Sequence, residues 1–172
     1  MDVTVELLEQ SDEEALFQFE RENREHFESF GFSREDHYYD SGQFKETLKG
    51  LLEDQENDRK YTYLIKNSKG EIVGRINLFS VMRGCFNKAE IGYRTGEKHQ
   101  GKGYTTKAMK LVLEEAAKTH QFHRIEAGTA PDNIGSQIVL IKNGFQFVGR
   151  CSQYIQLKGK WNDSVNFEII LD

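Results

Sequence analysis

The stretch Glu97-Lys-His-Gln-Gly-Lys-Gly-Tyr-Thr-Thr106 holds residue types that could bind a charged ligand. It leads from a strand-like run, Glu90 to Arg94, into a helix-patterned segment. Gly101 and Gly103 let several backbone N–H groups converge without side chains in the way. A helix N-terminus carries roughly half a unit of positive charge. Between Lys98 and Leu113 the chain also carries Lys98, Lys102, Lys107 and Lys110 and no acidic residue. Together these features describe an anion cradle. Two common nucleotide loops do not fit: a dinucleotide fingerprint would place a third glycine where Thr106 stands, and no Gly-Lys-Ser/Thr of a Walker loop is present.

Other candidate chemistry is sparse. His120 and His123 could bring two imidazoles together, but no cysteine or third histidine lies nearby, so no metal site is expected. No strand–turn–helix elbow offers the nucleophile of a Ser/His/Asp triad. Cys85 and Cys151 are too few for a disulfide framework and read as structural thiols. Gly92, inside a strand pattern, marks either a bulge or a point where a ligand lies against the backbone. Trp161 reads as a packing cap of a late turn or as a substrate contact.

The elements that must position these residues can be read from periodicity. The chain has 172 residues, 37% of them apolar, which suits one domain spanning 1–172 with a sizeable core. Val3 to Leu8 alternates as a strand, and Ser11-Asp-Glu-Glu opens a helix to about Glu25 with Leu16, Phe17 and Phe19 on its apolar side. From His26 to Tyr39 the pattern breaks down. Phe27, Phe30, Phe32, Tyr38 and Tyr39 there form either a loop closing over the core or a wall of a substrate groove. Ser41 to Asp54 is a second helix. Tyr61–Ile65 and Ile72–Phe79 form a hairpin around Asn67-Ser-Lys-Gly70, and Ala89–Tyr93 a further strand. A helix from Tyr104 to about Thr119 follows the cradle, then a strand Arg124–Thr129. A short helix after Pro131-Asp-Asn is expected to bury Ile134, Ile138 and Ile141, and two strands, Phe145–Leu157 and Val165–Leu171, close the chain. This order gives an α+β fold, a mixed sheet flanked by helices.

Charge and leader signals bound the partners. The net charge is −5, from 28 acidic and 23 basic residues, which argues against binding nucleic acid or an anionic membrane and suits a cationic substrate. The start, Met1-Asp-Val-Thr-Val-Glu, has neither a basic nor an apolar leader, and no run of about 18 apolar residues occurs, so a cytoplasmic protein is expected. Edge strands near the C-terminus, especially Val165 to Leu171, could pair two copies into a homodimer.

Gln100-Gly-Lys-Gly-Tyr-Thr105 resembles the Gln-x-x-Gly-x-Gly/Ala segment of the GNAT acetyltransferase superfamily. Ala89-Glu-Ile-Gly-Tyr93, His123-Arg-Ile-Glu126, Asp132-Asn-Ile-Gly-Ser136 and Asn143-Gly-Phe145 resemble its ribosomal-protein N-acetyltransferase branch, in order, over about half the chain. The resemblance implies a central, mostly antiparallel sheet of about seven strands and acetyl-CoA as donor, with no metal. The coenzyme would lie in a wedge between the strand of Ile91 to Tyr93 and that of Ile125 to Thr129. Its pyrophosphate would meet the backbone of Gln100, Gly101, Lys102, Gly103, Tyr104 and Thr105, and its pantetheine amides the backbone around Ile91, Gly92 and Tyr93. Asn133 would hydrogen-bond the cofactor arm, while its bare reading is a helix N-cap. Many members use a tyrosine seven residues past the asparagine as acid, but Leu140 stands there. The branch pattern Asn-x-x-Ser makes Ser136 the residue expected to meet the coenzyme sulfur.

Acetyl transfer needs a neutral amine, a donor for the oxyanion and a proton for the departing thiolate. A bulge at Ile91 to Tyr93 would leave a backbone N–H free for the oxyanion. Glu90, beside the expected thioester, could act as base directly or through water, or could pair a lysine. Near Ile155, where the branch sometimes has an acid, there is none. An α-amine has a pKa near 7.7–8.0, so roughly a tenth is neutral at pH 7, whereas lysine near 10.4 leaves well under a thousandth. A site without a strong base therefore suits a protein N-terminal α-amine. The alternatives are acetylation of a polyamine or aminoglycoside, drawn by the acids at Glu9–Glu14 and Glu53–Asp58, and a coenzyme-binding module without catalysis.

Overall fold

The computed structural model describes residues 2–31 and 33–171. One sheet of seven strands runs in the order β1-β2-β3-β4-β5-β7-β6. The strands are β1 (Val3–Leu7), β2 (Tyr61–Asn67), β3 (Ile72–Met82), β4 (Lys88–Thr95), β5 (Arg124–Thr129), β6 (Gln146–Leu157) and β7 (Lys160–Ile170). Every pairing is antiparallel except β4 with β5, the one connection that needs a crossover helix. That helix is α4 (Tyr104–Lys118).

Apolar periodicity decides which helix covers which face. Ala108, Met109, Val112 and Ala116 of α4 bury against Ile76, Leu78, Ala89, Ile91 and Ile125, together with Leu140 of α5 (Ile134–Lys142). The opposite face is covered by α1 (Glu13–Glu22), α2 (Arg24–Ser29) and α3 (Ser41–Glu56), which pack Leu16, Phe19, Phe27, Phe44 and Leu48 on Leu64. Cross-strand partners share a face, so Arg75↔Arg94, Asn77↔Gly92 and Phe79↔Glu90 lie as successive rows on this second face.

The feature that positions the site is a split in the middle of the sheet. β4 and β5 pair only from Lys88↔Arg124 to Glu90↔Glu126, although β4 continues to Thr95 and β5 to Thr129. Beyond that point β4 stays with β3 as far as Gly74↔Thr95, and β5 with β7 as far as Thr129↔Val165. Each strand is held by its outer neighbour, and the gap between them opens as a wedge.

Several sequence expectations are corrected. Gly92 pairs in register with Asn77, so there is no bulge at Ile91 to Tyr93. The irregularity lies in β3 between Phe79 and Met82, with Ser80 in the left-handed region at φ 50. Ile134, Ile138 and Ile141 are 57%, 46% and 59% exposed. The nine-residue α5 is apolar on most sides, and Leu140 is the residue it turns inward. Val165–Leu171 is not an edge: β7 begins at Lys160, lies between β5 and β6, and leaves β6 on the outside. Trp161 belongs to β7, where it pairs with Gln156, and is 60% exposed. In the aromatic stretch, Phe27 sits on a helix, and both Phe27 and Tyr38 are buried in the second core while Phe30 is exposed. Phe32 lies outside the described residues.

Candidate functional site

The wedge and the cradle meet at the end of β4. Gly96 donates its N–H to Val73 O at 2.9 Å, which fixes the antiparallel alternation. Glu90, Gly92 and Arg94 turn their backbone groups toward β3, while Ile91, Tyr93 and Thr95 turn theirs toward β5. Past Glu90 there is no β5 pairing to meet them. Tyr93 therefore offers its N–H and C=O to the wedge, and the cause is strand divergence, not a bulge. Gly92 has a packing reason of its own: a Cβ there would come within 3.1 Å of the Phe79 ring, which lies over it on the second face.

The loop is braced from below and open above. Asn23, at the junction of α1 and α2, accepts the Glu97 N–H on its side-chain oxygen at 2.9 Å. Gln100 Nε2 and His26 Nε2 are 2.8 Å apart, tying the loop to α2. Gly101 and Gly103 take φ of 69 and 78, the left-handed region that glycine enters at little cost, and a Cβ on either would meet nothing within 4 Å. Gly103 is also the N-cap of α4 and offers no capping side chain, so the first-turn N–H groups face outward. Gln100 instead donates its N–H to Glu97 O at 3.3 Å, which narrows the outward donors to Gly101 through Thr105. Lys102 Nζ folds back onto Lys98 O at 2.6 Å. His99 meets the Tyr104 ring edge-on, and burial together with Lys102 lowers its pKa, keeping it neutral.

Across the wedge, Asn133 is indeed an N-cap: its Oδ1 accepts the Ser136 N–H at 3.1 Å. The Tyr93 hydroxyl donates to Ser136 Oγ at 2.8 Å. Burial raises the Tyr93 pKa and outweighs the opposing effect of the Ser136 hydrogen bond, so the phenol keeps its proton. Residue spacing could not reveal this pair, because it joins β4 to α5 across 43 positions. Leu140 is buried in the core.

The carboxylates differ sharply. Glu126 is clamped by Lys88 Nζ and Arg124 Nε, each at 2.7 Å. Burial pushes its pKa up, but the hydrogen bonds from Lys88 and Arg124 outweigh that and hold it below the usual range, making it a poor base. Glu90 is half-buried and, among the described residues, makes no side-chain hydrogen bond or ion pair. His120 is taken up elsewhere, with Tyr63 Oη at 2.7 Å from Nε2 and the Tyr61 ring stacked at 3.7 Å. It borders a polar cleft of about 530 Å³ with Asp58 and Arg83 at the opposite end of β4, where Arg83 is already bound to Asp58 at 2.6 Å and to His120 O at 2.8 Å.

The arrangement is a strand gap with free backbone groups, an anion cradle at its mouth, and a phenol–hydroxyl pair on its wall. It fits a long ligand with a phosphate end and a polar, amide-bearing arm. Comparison with known proteins agrees. The family model described as "Acetyltransferase (GNAT) domain" matches residues 2–146. A Bacillus subtilis protein described as "Probable N-acetyltransferase YjcK" is 35% identical over 162 residues, covering 94% of this chain and 90% of that one. The ribosomal protein uS5-alanine N-acetyltransferase of Escherichia coli is 30% identical over 166 residues, covering 95% and 84%. The structure of Mycobacterium smegmatis RimJ in complex with CoA-disulfide superposes with a TM-score of 0.89 at 26% identity, covering 98% and 81%. The fold, the wedge and these matches lead to one statement: the chain belongs to the GNAT acetyltransferases and uses acetyl-CoA as its acetyl donor.

Proposed function

We propose that this protein, a single GNAT domain, acetylates the N-terminal α-amine of a protein, with a ribosomal protein as the type of substrate. The observation that carries the reading is the Tyr93–Ser136 pair in a wedge that has no dedicated strong base. Acetyl-CoA supplies a thioester whose acetyl group is open to attack by an amine. The N–H groups of Gly101 to Thr105 hold the pyrophosphate, and the backbone of Ile91 to Tyr93 pairs with the amide-bearing arm. Asn133, its Oδ1 spent on the helix cap, has its amide N–H₂ left for that arm. The Tyr93 N–H stabilises the oxyanion as the amine nitrogen bonds to the carbonyl carbon. Ser136 O–H would protonate the departing sulfur as the C–S bond breaks while Ser136 Oγ takes the proton of the Tyr93 hydroxyl that donates to it, and the proton lost by the amine would restore the phenol through water. Glu90 is the first to take that amine proton.

An α-amine suits such a site because roughly a tenth is already neutral at pH 7. The name of the uS5-alanine relative points the same way. Three of the acids that suggested a polyamine acceptor are engaged locally: Asp12 with the Glu9 N–H and Lys66, Asp54 with Arg59, Asp58 with Arg83. A cytoplasmic setting accompanies the reading, supported by two unpaired cysteines. The test is thiol release from acetyl-CoA with a panel of N-terminal peptides, spermidine and an aminoglycoside, run beside a CoA binding titration. Turnover on peptides with free α-amines is expected. Turnover on the polyamine alone, or binding without turnover, would overturn the proposal.

A further inference from the structure

On the sheet face that carries Gly92, beneath α1 to α3, positive charge exceeds negative. Glu20, 0% exposed, accepts from Arg75 Nη1 at 2.8 Å and from Arg94 Nη1 at 3.2 Å. Arg34 places its guanidinium 4.3 Å from the Tyr38 ring, and the Tyr38 hydroxyl accepts from Arg75 at 3.4 Å. Lys60 faces the same cluster, its pKa lowered to about 8, first by burial and then by Arg75 and Arg34. Asp54, the acid whose charge opposes that lowering, is already bound to Arg59 at 2.8 Å. One buried carboxylate thus faces three arginines, Arg75, Arg94 and Arg34, and charges withdrawn from water are costly without counter-charges. Two donors are also unmet among the described residues: Nε of Arg75, whose side chain is 1% exposed, and Nε of Arg34 have no hydrogen-bond partner.

The cluster adjoins the reaction site. Arg75↔Arg94 is the row next to Asn77↔Gly92, and Asn77 Oδ1 accepts from Arg75 Nη2 at 3.2 Å. Two residues of strand cover about 7 Å. An extended peptide advances about 3.3–3.6 Å per residue, so an amine near Gly92 would bring the second or third side chain level with Arg94. We propose that this cluster is a specificity subsite for an acidic side chain at the second or third position of the acceptor. Arg94 and Arg34 hold its carboxylate, and Arg75, locked on Glu20, reinforces them from behind. The α-carboxylate of a free amino acid sits too close to its amine to reach. The inference rests on the N-terminal reading above for the place of the amine.

The test is kcat/KM on matched peptides with Glu, Gln or Lys at the second and third positions, with free glutamate as a further arm. The Glu peptide is expected to exceed the Gln peptide by about tenfold, the scale of one charge-assisted contact. Arg94→Gln should bring that ratio toward one. Arg34→Gln, which touches no Glu20 oxygen, should do the same if loss of Arg94 unfolds the chain. Equal rates on Glu and Gln peptides, or a preference for Lys, would overturn the subsite and leave N-terminal acetylation standing. Turnover of free glutamate with none on any peptide would overturn the N-terminal reading instead.

Discussion

At the residue scale the proposed acid step depends on the 2.8 Å bond from the Tyr93 hydroxyl to Ser136 Oγ. General acid catalysis typically contributes about 10²–10⁴-fold, so Ser136→Ala should lower kcat by about a hundredfold while leaving the KM for acetyl-CoA within a few-fold. Tyr93→Phe should cost less, and the double variant should be no slower than Ser136→Ala, because both act through one proton; steady-state kinetics of the three enzymes check this. Ser136 was singled out through the branch resemblance alone, and its hydrogen-bond partnership with Tyr93 by nothing in the sequence, since no linear pattern says that β4 and α5 face each other. Glu20 gives a second prediction. Burial raises its pKa, but Arg75, Arg94 and Arg34 together outweigh that and lower it. A carboxylate depressed on folding contributes stability above its unfolded pKa, and that contribution is lost as pH falls through the folded value. Urea midpoints should therefore drop below about pH 4, and Glu20→Gln should cost about 3–5 kcal/mol at pH 7 while flattening that acid dependence.

At the element scale the glycine-bearing loop and the helix after it were legible because glycines and a helical stripe coincide in one short segment. α5 was not, because five of its nine residues are Ile, Val or Leu and periodicity cannot choose a face. The choice can be tested with two substitutions. Leu140→Ala should destabilise by about 2–5 kcal/mol. Ile138→Ser should stay within about 0.5 kcal/mol of wild type, as an exposed position does; denaturant titration of both checks the contrast. In the loop, Gly103→Ala forces a side chain into φ 78, where no neighbour blocks it but the backbone resists by about 1–2 kcal/mol. Weaker CoA binding by about tenfold is expected in a calorimetric titration, with α4 intact by circular dichroism.

At the scale of the whole molecule, the strand and helix order was readable and the split in the sheet was expected only through family resemblance. Local pattern reports which segments are strands, whereas the point where β4 and β5 part is set by their outer partners β3 and β7. Net charge is silent in a similar way: −5 does not say where charge gathers, and the face beside Gly92 brings together Arg34, Arg75, Arg94, Lys60 and Glu20. A sum over the surface carries no information about a cluster under three helices. The measurement that tests the central claim most directly is mass-spectrometric mapping of the acetyl group on lysine-containing peptides with free or blocked α-amines. Acetyl on the free α-amine, and none on the blocked peptide, is the result predicted. Labelling confined to lysine would contradict it.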